Sequence, residues 1–232
     1  MLYPPRFQAE FMLRRNIAEL DAYAAVFRNR ILGAFPSPAA PSESSDPLAA
    51  LSKNEDAAEL SALLGEDYYV ALGPVRQGII NLMVAGLYHL LEQQSGYSLE
   101  TTLPAAASPS GSPYSLERLR VALLEQGVAI NRFACWPQVD ELRLIANSVK
   151  HGDGHAALEL KRRRPDLFAT REHPFFPGVA ISTPIRPLVG DGVILSPDDF
   201  EHYAKTVRQF WDETVNALLP IMRPDLAPRT SP

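Results

Sequence analysis

The chain has 232 residues, a formal net charge of −5 and 46% hydrophobic residues. A chain of this length and composition can bury a core without metal or disulfides, and the hydrophobic content excludes bulk disorder. The acidic balance excludes a generally basic nucleic-acid binder, so any phosphate-binding site must be a local patch.

The single cysteine and the absence of a spanning segment predict the compartment. Cys135 alone supports neither a disulfide framework nor a cysteine-based zinc site, and we interpret it as a small buried hydrophobe. The most apolar window, "GIINLMVAGLYHLL" at 78–91, is too short to span a bilayer. The N-terminal stretch lacks the layout of a signal peptide. We therefore expect a cytoplasmic protein without membrane attachment.

The first predicted element is a helix over residues 5–33. Its apolar residues recur at intervals of three and four, and Gly33 and Pro36 are expected to end it. The following segment, 36–47, is rich in serine and proline and predicts a linker-like loop.

A second helical region follows this loop. It is expected to start near Asp46 or Asn54 and to end near Gln94, with a break at Gly65 or at Gly73–Pro74. Its last part is apolar on nearly all sides, which is typical of a central helix.

Two glycines of this central helix predict a close helix contact. Gly78 and Gly86 are spaced so that they fall on roughly the same side of the helix. Because glycine has no Cβ, this side could let another helix approach closely.

The next two helices are well delimited by their end residues. A Ser/Pro-rich loop at 104–113 precedes a helix at about 115–129. The following helix has Pro137 in its first turn and Gly152 just beyond its last residue, which are favoured positions for these residue types.

The C-terminal third is predicted to contain two more helices and an insertion. A short basic helix ends before Pro165, and residues 174–195 predict a small extended or hairpin insertion. Ser196 as N-cap and Pro197 at the first position begin a last helix.

Together these elements predict a mainly α protein, a helical bundle with long Ser/Pro-rich loops. We interpret residues 1–232 as a single helical domain. Its parts are the N-terminal helix at 1–35, the loop at 36–47 and a bundle at 48–223 that includes the insertion at 174–195.

The stretch "ANSVKHGDGH" at the end of the fourth predicted helix is the main functional candidate. On a helical wheel, Arg143, Asn147, Lys150 and His151 share one face that spans about 100°. Leu144 falls on the His151 side of this face, and we interpret it as a contact with another subunit or a partner.

One interpretation of this stretch is a metal site. It requires His151, Asp153 and His155 to converge across Gly152 and Gly154. The alternative is structural, with Gly152 ending one helix and Asp153 capping the next.

A second interpretation is a ribonuclease site. Metal-independent cleavage of RNA needs a base for the 2′-hydroxyl, an acid for the leaving oxygen and a cation for the charge on phosphate. Histidine and arginine suit these tasks, and Asn147 could orient the histidine or the phosphate. The polar end of an ordinary helix remains the simplest alternative.

The stretch "ELRLIANSVKHGDG" resembles the signature helix of the HEPN superfamily. These are helical-bundle proteins found as RNase toxins, antiphage effectors and non-catalytic helpers. The resemblance rests on an arginine, then an asparagine, then Lys-His near the end of a late helix in an all-helical chain. It covers mainly residues 138–154, with compatible helical context over about 50–220.

The resemblance implies a function and roles for the four residues of this face. His151 would act as acid or base, Arg143 and Lys150 as phosphate-stabilising cations, and Asn147 as the orienting group. It also implies a metal-independent endoribonuclease of a toxin–antitoxin or phage-defence system, without a cofactor. The implied partners are RNA, an antitoxin-like protein and a second copy of the chain, because two such helices usually meet in a dimer.

A basic run follows the signature helix and is the second candidate surface. We predict that it forms an RNA-binding patch, although a solvated helix end is the plainer interpretation; the run consists of Lys161, Arg162, Arg163 and Arg164. A different class of function also stays open, that of a non-catalytic helical interaction or nucleotide-binding module.

Overall fold

The computed structural model describes residues 5–35, 55–102, 115–152, 154–168, 172–173, 176–180 and 192–222. These residues form a mainly α helical bundle, which confirms the predicted fold class. The α-helices among them are α1 (Pro5–Val26), α2 (Glu55–Thr102), α3 (Leu116–Glu125), α4 (Trp136–His151), α5 (His155–Arg163) and α6 (Pro197–Met222). The core lies where α1, α2, α4 and α6 pack together.

The N-terminal helix is confirmed. After α1 the chain continues through a wide helical turn at Phe27–Ile31 and a tight one at Leu32–Ala34, and it becomes extended at Phe35. The fully buried ring of Phe27 lies 4.0 Å from the ring of Phe200, centroid to centroid, and so joins the turn after α1 to α6.

The predicted break in the second helix is wrong. Helix α2 runs without interruption through Pro74, and it continues beyond Gln94 to Thr102. A proline removes one hydrogen bond, but the helix after Pro74 packs against α1, α4 and α6, and this burial outweighs the local penalty. At the far end, buried Ser95 and Ser98 donate hydrogen bonds to carbonyls one turn earlier, so their hydroxyls are satisfied.

The close approach predicted for two glycines holds at only one of them. A Cβ at Gly86 would collide with the hydroxyl of Tyr23, which donates a 2.9 Å hydrogen bond to the carbonyl of Met83. No described atom lies within 4 Å of a Cβ at Gly78, so the prediction is wrong there. The α1 helix therefore meets α2 closely at the Gly86 level.

This difference predicts opposite effects for two alanine substitutions. Gly78→Ala should raise the free energy of unfolding by about 0.5–1 kcal/mol, because alanine is the better helix former. Gly86→Ala should lower it by about 1–2 kcal/mol, since the Tyr23 hydroxyl must move and overpacking outweighs the same propensity gain. Urea denaturation of both variants checks this, and equal stabilisation by both would show that Tyr23 moves freely.

A buried polar chain ties α1, α2 and α6 together at the centre of the bundle. The indole Nε1 of Trp211 donates to Oε1 of Gln94 over 2.7 Å, and Nε2 of Gln94 donates to the carbonyl of Asn16 over 2.9 Å. All three residues are buried, so these bonds satisfy groups that water does not reach.

The beginning of α6 is confirmed as predicted. The hydroxyl of Ser196 accepts a hydrogen bond from the backbone N–H of Asp199, and the Asp199 carboxylate accepts from the Ser196 N–H. This reciprocal pair is a capping box, which satisfies two donors at the helix end.

Two amides of α2 hold the segment that leads into α6. Asn81 Nδ2 donates to the carbonyl of Val193, and Asn81 Oδ1 accepts from the N–H of Leu195. Gln77 Nε2 donates to both Asn81 Oδ1 and the carbonyl of Leu195. The four residues are buried, and we call Gln77 and Asn81 the amide clamp.

A short antiparallel strand pair lies at the start of the predicted insertion at 174–195, with its first strand just before residue 174. β1 (Glu172–His173) pairs with β2 (Phe176–Ala180), and the register is irregular between the two paired positions. The predicted loops at 36–47 and 104–113 lie outside the described residues. None of the described helices is both long and apolar enough to cross a membrane.

Candidate functional site on helices α4 and α5

Helix α4 has the ends that the sequence predicts. Pro137 lies in its first turn, and Gly152 ends it with a φ of 65°, a left-handed conformation that suits glycine. The Gly152 N–H donates to the carbonyl of Ser148 over 3.0 Å. This helix end places Lys150 and His151 in the last turn of α4.

The interpretation of Leu144 as a contact residue for a second subunit is wrong. Its side chain is 2% exposed and lies in the core of its own chain. Because α4 packs against both α2 and α6, its buried face is wider than a single apolar stripe. Leu144 therefore gives no support to a dimer.

The guanidinium of Arg143 is bound to a carboxylate of its own helix. Its Nε and Nη2 atoms donate to Oδ1 of Asp140 over 2.9 and 2.8 Å. Burial opposes ionisation of Asp140, but hydrogen bonds from Arg143 and Arg163 outweigh it and hold the pKa of that carboxyl below its ordinary value. Asp140 lies one turn towards the helix N-terminus, whereas His151 lies about 12 Å along the axis in the other direction. One chain therefore does not bring Arg143 and His151 together.

The other three predicted residues of this face lie near the end of α4. Lys150 and His151 are exposed and Asn147 is partly exposed. In the described part of the chain, none of the three makes a side-chain hydrogen bond or an ion pair within contact distance. Glu92 of α2 interacts electrostatically with Lys150: burial raises the pKa of Glu92, and the Lys150 ammonium opposes that rise.

The start of α5 extends this exposed polar region. Gly154 is the N-cap residue of α5 and supplies no side-chain cap, and His155 is exposed in the first turn. The predicted cap, Asp153, lies outside the described residues. We define the α4–α5 corner as Lys150, His151 and His155. No group of described residues has three side chains placed to hold a metal ion.

Most of the predicted basic run is paired with carboxylates. Arg163 donates from Nε to Glu159 and from Nη1 to Asp140, each over 2.8 Å, and so joins α5 to α4. Arg162 pairs with Glu159 on its own helix but keeps 73% of its side chain exposed. Lys161 lies with its Nζ atom 5.8 Å from the ring centroid of Phe168.

Arg164 is enclosed in a network that the sequence did not reveal. Its guanidinium donates to both carboxylate oxygens of Asp166 and to Oε1 of Glu141, the last over 2.6 Å. The hydroxyl of Tyr203 donates to the same Glu141 oxygen. The Asp166 bonds, helped by Glu141, raise the pKa of Arg164 above its ordinary value. Arg164 therefore links α4, α6 and the turn after α5.

An open groove of about 480 Å³ follows the outer side of α5. Its described lining residues are His155, Leu158, Lys161 and Arg162, and Leu158 is 63% exposed. Two of these were predicted from the basic run, while His155 and Leu158 could have been found from their helical spacing to Arg162. The groove continues the α4–α5 corner along α5.

No family model, curated protein or solved structure matches this chain. The geometry alone therefore defines the class: a mainly α helical bundle that exposes a Lys-His pair at a helix end beside a second exposed histidine. Membership of the HEPN superfamily stays a prediction from the sequence.

Proposed function

We propose that this protein binds RNA through the α4–α5 corner and the outer side of α5, as its resemblance to the HEPN superfamily implies. The observation that supports this most is the exposure of Lys150 and His151 beside His155, followed along α5 by Lys161 and Arg162. Residues 150–168 contain five Lys or Arg and three Asp or Glu, so this surface is locally basic in a chain of net charge −5.

The corner offers phosphate several kinds of donor. Lys150 supplies an ammonium group, and the two histidines supply ring N–H groups. The first turn of α5 has backbone N–H groups without helical partners, and Gly154 places no side chain over them. Among the described residues, Lys150, His151 and His155 form no ion pair that a phosphate at this corner would have to break.

The remaining predicted arginines are assigned a supporting role in this proposal. Arg143, Arg163 and Arg164 would each have to leave a carboxylate before they could hold a phosphate. Because that exchange costs an existing charge-assisted bond, we infer that these arginines shape the surface. Arg162 is also paired, with Glu159, but its side chain is 73% exposed and such a surface pair is weak, so we assign the RNA contacts to Lys161 and Arg162.

A second candidate function is metal-independent cleavage of the bound RNA. It is favoured by an exposed His151 with Lys150 beside it and Asn147 one turn earlier. His151 would serve as acid or base and Lys150 as the cation, while a second copy of the chain would supply the other proton-transfer group. A homodimer, a cytoplasmic toxin–antitoxin or phage-defence setting and an antitoxin-like partner belong to this proposal.

Charge reversal at the corner tests RNA binding. We expect Lys150→Glu to weaken binding of a fluorescein-labelled mixed-sequence single-stranded RNA about tenfold at low salt, because it replaces a phosphate contact by a repulsion. Lys205→Glu is the matched control, since both lysines are exposed and each lies near one glutamate, Glu92 or Glu201. Fluorescence anisotropy measures both affinities. Equal affinities, or no binding by the wild type, would contradict the proposal.

The same reactions decide between binding and cleavage. They contain EDTA, and gel electrophoresis follows the length of the RNA for wild type, His151→Ala and the exposed-histidine control His202→Ala. Cleavage lost only in His151→Ala supports the enzyme, and binding without cleavage supports a non-catalytic RNA-binding protein. Cleavage that appears only without EDTA would favour the metal interpretation of the His151–His155 stretch.

A further inference from the structure

A second groove lies between α2, α3 and α4, at the opposite end of α4 from the corner. It has a volume of about 240 Å³ and is lined by Tyr88, Leu116, Glu117, Arg120, Trp136, Val139, Asp140 and Arg143. Apart from Arg143, these residues take no part in the function proposed above.

The floor of this groove is apolar and aromatic. Tyr88, Leu116 and Val139 are buried, and the indole of Trp136 is partly exposed. Burial raises the pKa of Tyr88, so its phenol is protonated at neutral pH. A flat apolar ring is therefore the kind of group that this floor can accept.

The rim of the groove carries donors and acceptors in nearly equal number. On α3, Arg120 donates from Nε and Nη2 to the carboxylate of Glu117 over 2.7 and 2.5 Å. On α4, Arg143 donates from Nε and Nη2 to Oδ1 of Asp140, and Oδ2 of Asp140 accepts from Arg163. These ion pairs offset most of the charge at the rim and keep further lone pairs and N–H groups available. A neutral heteroaromatic edge matches this rim better than a phosphate does.

The volume limits the occupant to one small ring system. Pockets for drug-sized ligands usually measure roughly 300–1,000 Å³, and this groove is smaller. A helix or strand of a protein partner would not fit, whereas a single base would.

One continuous stripe of α4 joins this groove to the α4–α5 corner. Trp136, Asp140, Arg143, Asn147 and Lys150 recur at alternating helical spacings, and all are at least partly exposed. Trp136 and Lys150 are about 21 Å apart along the axis, a distance that a few nucleotides of an extended strand can span. The stripe thus runs from an aromatic groove to a basic end.

We propose that this groove takes one unstacked base of the RNA strand that the α4–α5 corner holds, with the base stacked on Trp136. The inference rests on the proposed function, because the corner supplies the phosphate contacts. The edge of the base forms hydrogen bonds with Glu117, Arg120 and Arg143. These bonds favour a heteroaromatic ring over a purely apolar one. Aromatic stacking of this kind is tolerant of sequence.

Tryptophan fluorescence tests the proposal directly. The chain has two tryptophans, and Trp211 is fully buried and bonded to Gln94, so quenching by an added base reports on Trp136. We expect adenosine 5′-monophosphate and single-stranded oligoadenylate to quench the full-length protein. Trp136→Leu should abolish the quenching and weaken oligoadenylate binding about 5- to 150-fold, while Trp136→Phe should retain most of the affinity.

The outcomes separate this inference from the proposed function. Unchanged fluorescence with RNA bound equally by wild type and Trp136→Leu would overturn the base site and leave RNA binding at the corner intact. Quenching by the mononucleotide without RNA binding would support the groove and overturn the proposed function. Competition by phenylalanine amide as strong as by the mononucleotide would overturn the assignment to a base. Circular dichroism checks that each variant is folded. If Trp136→Leu does not fold, the presence or absence of quenching in the wild type decides whether the groove binds a base.

Discussion

Replacing Asn81 by leucine should lower the free energy of unfolding by about 3 kcal/mol. Asn81 is 1% exposed, and its amide bonds the carbonyl of Val193 over 2.7 Å and the N–H of Leu195 over 3.2 Å. Leucine fills a similar volume but leaves both backbone groups buried without partners, and each such group costs roughly 1–3 kcal/mol. The amide clamp is therefore expected to be the most sensitive polar feature of the fold.

Gln93→Leu is the matched control for this substitution. Gln93 is an exposed amide on the same helix, and among the described residues its side chain is hydrogen-bonded to the ring of His89 over 3.1 Å. Its replacement should change the free energy of unfolding by no more than about 0.5 kcal/mol. Urea denaturation measures both variants, and an Asn81→Leu protein as stable as the wild type would show that other contacts hold residues 193–195.

The second large effect is expected at Arg164. Arg164→Ala should lower the free energy of unfolding by about 2 kcal/mol, because it leaves the Glu141 carboxylate and the Tyr203 hydroxyl without their shared cation. The side chain of Glu141 is only 18% exposed, so water replaces the lost bonds incompletely. The value is below that of a fully buried pair because Arg164 itself is 29% exposed.

Arg162→Ala provides the contrast. Arg162 belongs to the same basic run, but its ion pair with Glu159 is exposed, and its loss should cost at most about 0.5 kcal/mol. Thermal unfolding of the two variants checks the difference. If both were equally stable, the network around Arg164 would contribute nothing measurable, and a role for Arg164 in binding RNA would again be the better interpretation.

The ends of the helices could be predicted from the sequence because their signals are local. Pro137 and Gly152 mark the ends of α4, and Ser196 and Pro197 mark the beginning of α6. Each acts through the backbone of its own turn, so no tertiary information is needed.

The features that sequence reasoning missed depend on contacts between distant elements. Helix α2 continues through Pro74 because it is packed on several sides, and no local pattern shows this. The same holds for Leu144, whose burial results from a second packing partner of α4.

The candidate site could be predicted where its signals are local and not where they depend on distant contacts. The position of Lys150 and His151 at an open helix end follows from local sequence, and so does the helical spacing of Asp140 and Arg143. By contrast, the bonds of Arg163 to Asp140 and of Arg164 to Glu141 join α5 and the turn after it to α4, and their pairing depends on how these segments fold back. The sequence therefore showed the cations but not the carboxylates that Arg163 and Arg164 reach across to α4.

The salt dependence of RNA affinity tests the central claim most directly. If Lys150 binds a phosphate at the α4–α5 corner, Lys150→Ala should reduce the slope of log affinity against log salt concentration by about 0.7 for single-stranded RNA, because one phosphate contact fewer releases counterions. Lys205→Ala should leave the slope unchanged. Identical slopes for the wild type and both variants would contradict the account and place the phosphate contacts elsewhere.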